Sequence, residues 1–250
     1  VLTEEYAKLR ALEDTYWWHT ALRQLVVSWL ETLPNRSALR VLDTGCGTGG
    51  LLTELQGMQS WGVELADVAV QHCRRRGLGN VVQGSVMTLP FRADTFDVVI
   101  SLDVLYHQWV PDDVEALREL HRVLRPGGLA LLHLPAYRFL TSEHDAAGLG
   151  RRRYTRPELA AKVRASGFRV ARLTYRNALL LPLALAHRWT RRRRRDAPPR
   201  SDLVTLPPAL NALLRAVLAL ENDLVRRVTL PFGLSLFCIA AKEGSLSLSA

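Results

Sequence analysis

Apolar residues follow two rhythms along the chain. Leu22, Leu25, Val26, Trp29, Leu30 and Leu33 recur at helical spacing and predict a helix to about Leu33, which Pro34, Asn35 and Ser37 break. Shorter apolar runs then take over. Leu39–Asp43, Ser60–Glu64, Asn80–Gln83, Phe96–Leu102, Leu129–Leu134, Phe168–Tyr175 and Leu234–Ala241 predict seven strands. Phe96–Leu102 and Leu129–Leu134 are continuously apolar, as strands buried between helix layers are. Between the runs lie amphipathic patterns at 66–76, Asp112–Val123 and from Thr155 to Ser166. Strands alternating with helices predict an α/β fold.

Punctuation supports these boundaries. Thr155 with Glu158 reads as a capping box, and Gly167 stops that helix. Arg74, Arg75 and Arg76 close another helix before Gly77, where cations suit the negative end of the helix dipole. Arg125, Pro126, Gly127 and Gly128 form a turn before Leu129. The connection from Asn177 to Leu230 is too long for a loop. It carries two helical patterns, Ala178–Arg192 and Pro208–Val228, separated by Arg191–Arg195 and Pro198-Pro199. The chain therefore divides into an N-terminal helical lid (1–37), a core (38–176 and 231–243) and a helical insertion or cap (177–230).

The chemistry concentrates where the first strand meets a glycine-rich turn. Gly45, Gly47 and Gly50 satisfy the dinucleotide spacing G-x-G-x-x-G, while Asp43, Gly45, Gly47 and Gly49 read as D-x-G-x-G-x-G. Glycine permits a turn with positive φ and a close approach of ligand to backbone. Glu64 ends the second strand about twenty residues on, suited to accepting hydrogen bonds from two ribose hydroxyls. Tyr16-Trp17-Trp18-His19 packs the N-terminal helix on the body or covers a ligand. Asp103-Val104-Leu105-Tyr106-His107 follows the fourth strand at the edge where open α/β sheets bind ligands.

Charge and cysteine usage narrow the partners. Net charge is +9, but residues 1–150 carry −5 and residues 151–250 carry +14, which favours an anionic partner near the second half. No aromatic interleaving accompanies the arginines, so nucleic acid is not expected. Cys46, Cys73 and Cys238 form no C-x-x-C pair and suggest no disulfide or metal site. No leader pattern opens the sequence at Val1, and no apolar run has the length of a membrane span. A cytoplasmic protein is expected, monomer or homodimer, with contact of 177–230 to a membrane surface left open.

The D-x-G-x-G-x-G turn, the block FDVVISLDVLYH and the later RVLRPGGLALLHLP together resemble the class I S-adenosylmethionine (SAM) methyltransferases that act on small molecules. The resemblance spans roughly residues 12–175 and returns at 231–242. It implies a Rossmann-like sheet of seven mostly parallel strands with helices on both faces. The last strand runs antiparallel between strands five and six, and the helical pair is inserted before it. It also implies SAM as cofactor, held by Asp43, Gly45, Cys46, Gly47, Gly49, Glu64, Leu65, Ser85, Val86, Met87 and Leu102, with Tyr16 in the lid. Ser85 stands where the family commonly has Asp to receive the adenine amino group. A small or carrier-linked acceptor would need a base: His107 first, His144 second, with Tyr106 and Tyr154 orienting it. The alternatives are a repurposed fold with cyclase-type chemistry and a non-enzymatic partner in a biosynthetic complex. A nicotinamide enzyme is disfavoured because such dehydrogenases have no reason to carry these blocks, and the short-chain dehydrogenase pattern Tyr-x-x-x-Lys is also absent.

Overall fold

The computed structural model describes residues 2–141, 150–183, 185 and 206–244. Seven strands form one sheet: β1 (Arg40–Thr44), β2 (Gln59–Glu64), β3 (Val81–Gln83), β4 (Phe96–Leu102), β5 (Leu124–Pro135), β6 (Arg169–Arg176) and β7 (Ser235–Ala241). Their order is β3-β2-β1-β4-β5-β7-β6. All neighbours are parallel except β7, which runs antiparallel to both β5 and β6. The expected topology is therefore present, with β7 inserted between β5 and β6.

Alternation along the central strands builds two cores. Leu42, Val99, Ala130 and Leu132 face the layer containing α5 (Asp113–Val123) and α6 (Arg156–Ala165). Val41, Val98, Ile100, Leu129 and Leu131 face the other layer, with Leu25, Val26 and Leu30 of α2 (Trp17–Leu30). That layer also holds α3 (Gly50–Glu54), α4 (Asp67–Arg75) and α7 (Pro208–Arg227). Burying both sides explains why these strands read as unbroken apolar runs.

Three expectations need correction. Helix α2 starts at Trp17 and ends at Leu30, so Trp17, Trp18 and His19 form its first turn instead of preceding it. A further helix, α1 (Leu2–Leu12), lies before it. The turn expected at Arg125–Gly128 is absorbed into β5, which begins at Leu124. Leu124 pairs with Phe96 and, after a shift in register, Leu129 pairs with Val98. Gly127, at φ +83°, supplies the irregular step. The expected pattern Ala178–Arg192 falls mostly outside the described residues, as do Arg191–Arg195 and Pro198-Pro199.

Buried polar groups fasten the added helices. Glu13 accepts from Thr48 Oγ1 and pairs with Arg76, while Arg23 Nη1 donates to the Glu13 carbonyl at 2.6 Å. The arginines after α4 thus include one that secures the N-terminal segment. Helix α7 packs along α2, where Asn211 Oδ1 receives the Trp17 amide at 3.0 Å and Asn222 Nδ2 donates to Ala21 O at 2.7 Å. Glu221, fully buried, accepts from the Asn177 amide and, at 2.9 Å, from the Leu179 amide.

Candidate cofactor and acceptor site

Strand β1 delivers Asp43 and Thr44 to the C-terminal edge of the sheet, and the chain turns sharply there. Gly45, Gly47 and Gly49 have φ of +69°, +56° and +87°. A Cβ at Gly45 would lie 2.4 Å from Val104 Cγ2, so the turn packs directly against the segment leaving β4. Two loops from adjacent strands therefore meet at one place, the crevice expected of an open α/β sheet.

Asp43 is 4% exposed, and no described hydrogen bond reaches its carboxyl. Burial, with Glu64 and Glu13 near, pushes its pKa up to about 8. A buried carboxyl without a partner is costly unless a cation or donor arrives. Glu64 ends β2 beside it and is fully engaged. Its Oε2 accepts from the Gly47 amide at 2.9 Å, and its Oε1 accepts from the Ala66 amide at 3.0 Å and the Tyr6 hydroxyl at 3.1 Å. Burial and Glu64 push the Tyr6 hydroxyl well above the ordinary phenol range. Helix α1 thus lies over the turn, with Leu9 Cδ2 3.4 Å from a Cβ built on Gly47.

Most of the remaining expected residues follow the C-terminal ends of β2, β3 and β4, on the same sheet edge. Cys46 is buried, and its sulfur would lie 2.8 Å from a Cβ at Gly62. Leu65 follows Glu64 and is exposed. After β3, Ser85 Oγ receives the Met87 amide at 3.2 Å, while Val86 is buried. Leu102 ends β4 half-buried. Tyr16 caps the start of α2, its ring 5.8 Å from those of Trp17 and His19.

Asp103 follows β4 with φ +54° and organises a polar cluster whose other members the sequence pattern did not single out. His133, fully buried on β5, places Nδ1 3.0 Å from Asp103 Oδ1 and Nε2 2.8 Å from Ser235 Oγ on β7. Asn177 Nδ2 donates to the same Ser235 oxygen at 2.8 Å. Burial works to raise the Asp103 carboxyl, but the imidazoles of His133, His19 and His107 outweigh it and hold it below the ordinary range. A third of the Asp103 side chain stays open, so the carboxylate borders the crevice. Trp18 of α2 closes over His133 with ring centroids 6.3 Å apart. His133 and Ser235 sit inside apolar strand runs, where a polar residue at the edge was the only available signal.

Tyr106 and His107 follow Asp103, half-buried with rings 4.4 Å apart. His107 forms a β-bridge with Gly150, and the Arg151 amide donates to Tyr106 O at 2.8 Å. Tyr154 does not orient an acceptor: it is buried, donating to Asp113 Oδ2 at 2.8 Å and Leu105 O at 3.2 Å. His144 lies outside the described residues. Beside Tyr106, a cleft of about 440 Å³ is lined by Arg138, Arg151, Arg152, Arg153 and Lys162 with Glu158. Among the described residues no cluster of three potential metal ligands occurs.

Residues 42–132 match a methyltransferase domain family. The chain is 33% identical over 140 residues to a ubiquinone biosynthesis O-methyltransferase of Pseudomonas syringae pv. tomato, covering 50% of this chain and 59% of that protein. The aligned part therefore spans about three fifths of that relative's length. Among solved structures, a Haloferax volcanii methyltransferase in complex with its Trm112 activator aligns with 98% of this chain and 96% of its own. Its TM-score is 0.62 at 19% identity. The [4+2]-cyclase SpnF aligns at TM-score 0.57 and 21% identity, covering 91% of this chain and 83% of its own. At these identities the structural matches establish the fold.

Proposed function

We propose that this chain is a class I S-adenosylmethionine-dependent methyltransferase that transfers a methyl group from SAM to a small or carrier-linked acceptor, a reading supported by the matched methyltransferase domain and the O-methyltransferase relative. The observation that carries this reading is the partnerless buried carboxyl of Asp43 at the mouth of the glycine turn. Such a group suits a cationic cofactor, and SAM carries both a sulfonium and an ammonium. Gly45, Gly47 and Gly49 leave backbone room for it, and Glu64 would hold the ribose hydroxyls in place of the Tyr6 hydroxyl. Leu65, Val86, Met87 and Leu102 supply apolar neighbours for the adenine and Ser85 one polar neighbour, with Tyr16 and α1 as cover.

When bound, the cofactor supplies a sulfonium methyl already activated for displacement. The protein's own contribution is alignment and exclusion of water, worth about 7–11 kcal/mol in favourable intramolecular cases. Trp17 and Trp18 of the α2 first turn provide the water-excluding wall. His107 Nε2 or Nδ1 takes the proton released by a hydroxyl acceptor, and Asp103 stabilises the imidazolium that results. His133 holds Asp103 in place, itself fixed by Ser235. Tyr106 flanks the base. The arginine-lined cleft beside Tyr106 favours an acceptor or carrier that bears an anionic group.

The test is incubation with methyl-labelled SAM and a panel of phenolic and carboxylate-bearing acceptors. Methylated product and S-adenosylhomocysteine in equal amounts support the proposal. A product of unchanged mass, formed without S-adenosylhomocysteine, supports cyclase-type chemistry on the same fold instead.

A further inference from the structure

Helix α7 is apolar on two faces. One face, with Leu218, Glu221, Asn222 and Val225 buried, docks on the body. The other carries Leu213, Leu220 and Leu224, which are 60%, 67% and 41% exposed. Their spacing places them on one stripe about a quarter to a third of a turn from the docked face. A globular helix with one docked face ordinarily turns polar residues outward.

The stripe does not stand alone. Nine of the thirteen large apolar side chains exposed among the described residues fall between residues 179 and 232. Leu179 and Leu183 extend it from the segment after β6, which is tied to α7 by the Leu179 amide on Glu221 and by Leu180 packed with Leu218. Concentration in one region separates this surface from scattered exposed leucines, which need no explanation.

Charge decides among the occupants. Arg227 is exposed beside the stripe, whereas Arg215, exposed, and Arg226, half-buried, lie on the far side of the helix, whose one exposed acid is Asp223. A groove beside the end of α7 is lined by Arg156, Arg164, Arg172 and Thr229. A second copy of this chain would bring the same arginines against themselves. The chain's own residues 186–205 hold seven arginines and five apolar side chains, too few to cover the stripe. No described helix is long and apolar enough to cross a membrane, so the leucines can enter only the interfacial layer.

We propose that the open face of α7, with the adjoining segment at Leu179 and Leu183, is a docking surface for an anionic lipid bilayer. The leucines enter the boundary between headgroups and acyl chains, Arg227 beside them pairs with a lipid phosphate, and the other arginines add longer-range attraction to the anionic surface. The chain then lies on the membrane with α7 in its plane.

The experiment is flotation of the full chain with vesicles of phosphatidylcholine alone and of phosphatidylcholine with phosphatidylglycerol at a 7:3 ratio. The proposal expects partition onto the anionic vesicles at least about tenfold above the neutral ones, weakening as salt screens the arginines. The triple variant Leu213→Gln, Leu220→Gln, Leu224→Gln loses about tenfold or more of that partition, because three inserted side chains become polar. Val82→Gln, at an exposed apolar position on β3, serves as control and changes nothing. Thermal unfolding of each variant verifies that it is folded. Failure to bind either vesicle, equal binding to both, or an unaffected triple variant overturns the proposal. So does a dimer in sedimentation equilibrium that the triple variant dissolves, which assigns the face to a second copy.

Discussion

At the residue scale, the site rests on two carboxylates in opposite circumstances. Among the described residues Asp43 has no hydrogen-bond partner, and Glu64 has three. Replacing Glu64 with Ala removes the proposed acceptor for the ribose hydroxyls and leaves the Gly47 and Ala66 amides without that partner. Calorimetry should show SAM affinity falling by about tenfold to a hundredfold, the loss of one or two charged hydrogen bonds. Tyr6→Phe should keep or raise affinity, since the hydroxyl competes for the Glu64 oxygen. A marked loss in Tyr6→Phe would place Tyr6 among the cofactor's ligands instead. His107→Ala should lower kcat by about 10²–10⁴ with little change in SAM affinity, as expected for loss of a base. The glycine turn and the position of Glu64 at the end of β2 were legible because backbone freedom demands glycine and the apolar run of β2 stops at the carboxylate. His133 and Ser235 were not, because they meet Asp103 only through the sheet order β4-β5-β7. Tyr154 misled for a related reason: a tyrosine beside a charged loop reads the same whether its hydroxyl meets substrate or, as here, Asp113.

At the scale of elements, most boundaries followed from apolar runs and their punctuation. Thr155 and Glu158 form the expected capping box, and Asp112 caps α5 by accepting from the Val114 and Glu115 amides. Removing the Thr155 cap with Ala should cost about 1 kcal/mol in chemical denaturation. Helix α7 shows what periodicity leaves open. Its length was readable, but its anchor is Glu221, a buried charge facing two backbone amides of another segment. Glu221→Ala strands both donors, each costing about 1–3 kcal/mol. Denaturation should therefore show a much larger loss than at the Thr155 cap. An effect under about 1 kcal/mol would mean that α7 is not held through this carboxylate. The start of β5 escaped the sequence reading because Pro126 and Gly127 signal a turn locally, whereas pairing across to Phe96 and Val98 overrides that signal.

At the scale of the whole molecule, the glycine turn, the loop leaving β4 and helix α1 meet at one crevice, and proton linkage reports on it. The Asp43 pKa is raised above its unfolded value, so its contribution to stability is full below about pH 4 and is lost as pH rises through about 8. A cationic cofactor needs the ionised form, so binding expels a proton at neutral pH. Affinity for SAM should then climb with pH, by up to about tenfold per unit, and level off above about pH 8. Titrations in buffers of differing ionisation enthalpy should register that proton, and a flat profile from pH 6 to 8 would remove Asp43 from the cofactor site. The central claim is that this crevice holds S-adenosylmethionine and releases S-adenosylhomocysteine. Its most direct test is parallel calorimetric titration of the protein with those two compounds and with NAD. Micromolar binding of both sulfur compounds, abolished or strongly weakened in Glu64→Ala, with no heat from NAD, is the predicted result. Binding of NAD in their place, or of neither sulfur compound at millimolar concentration, would contradict the account.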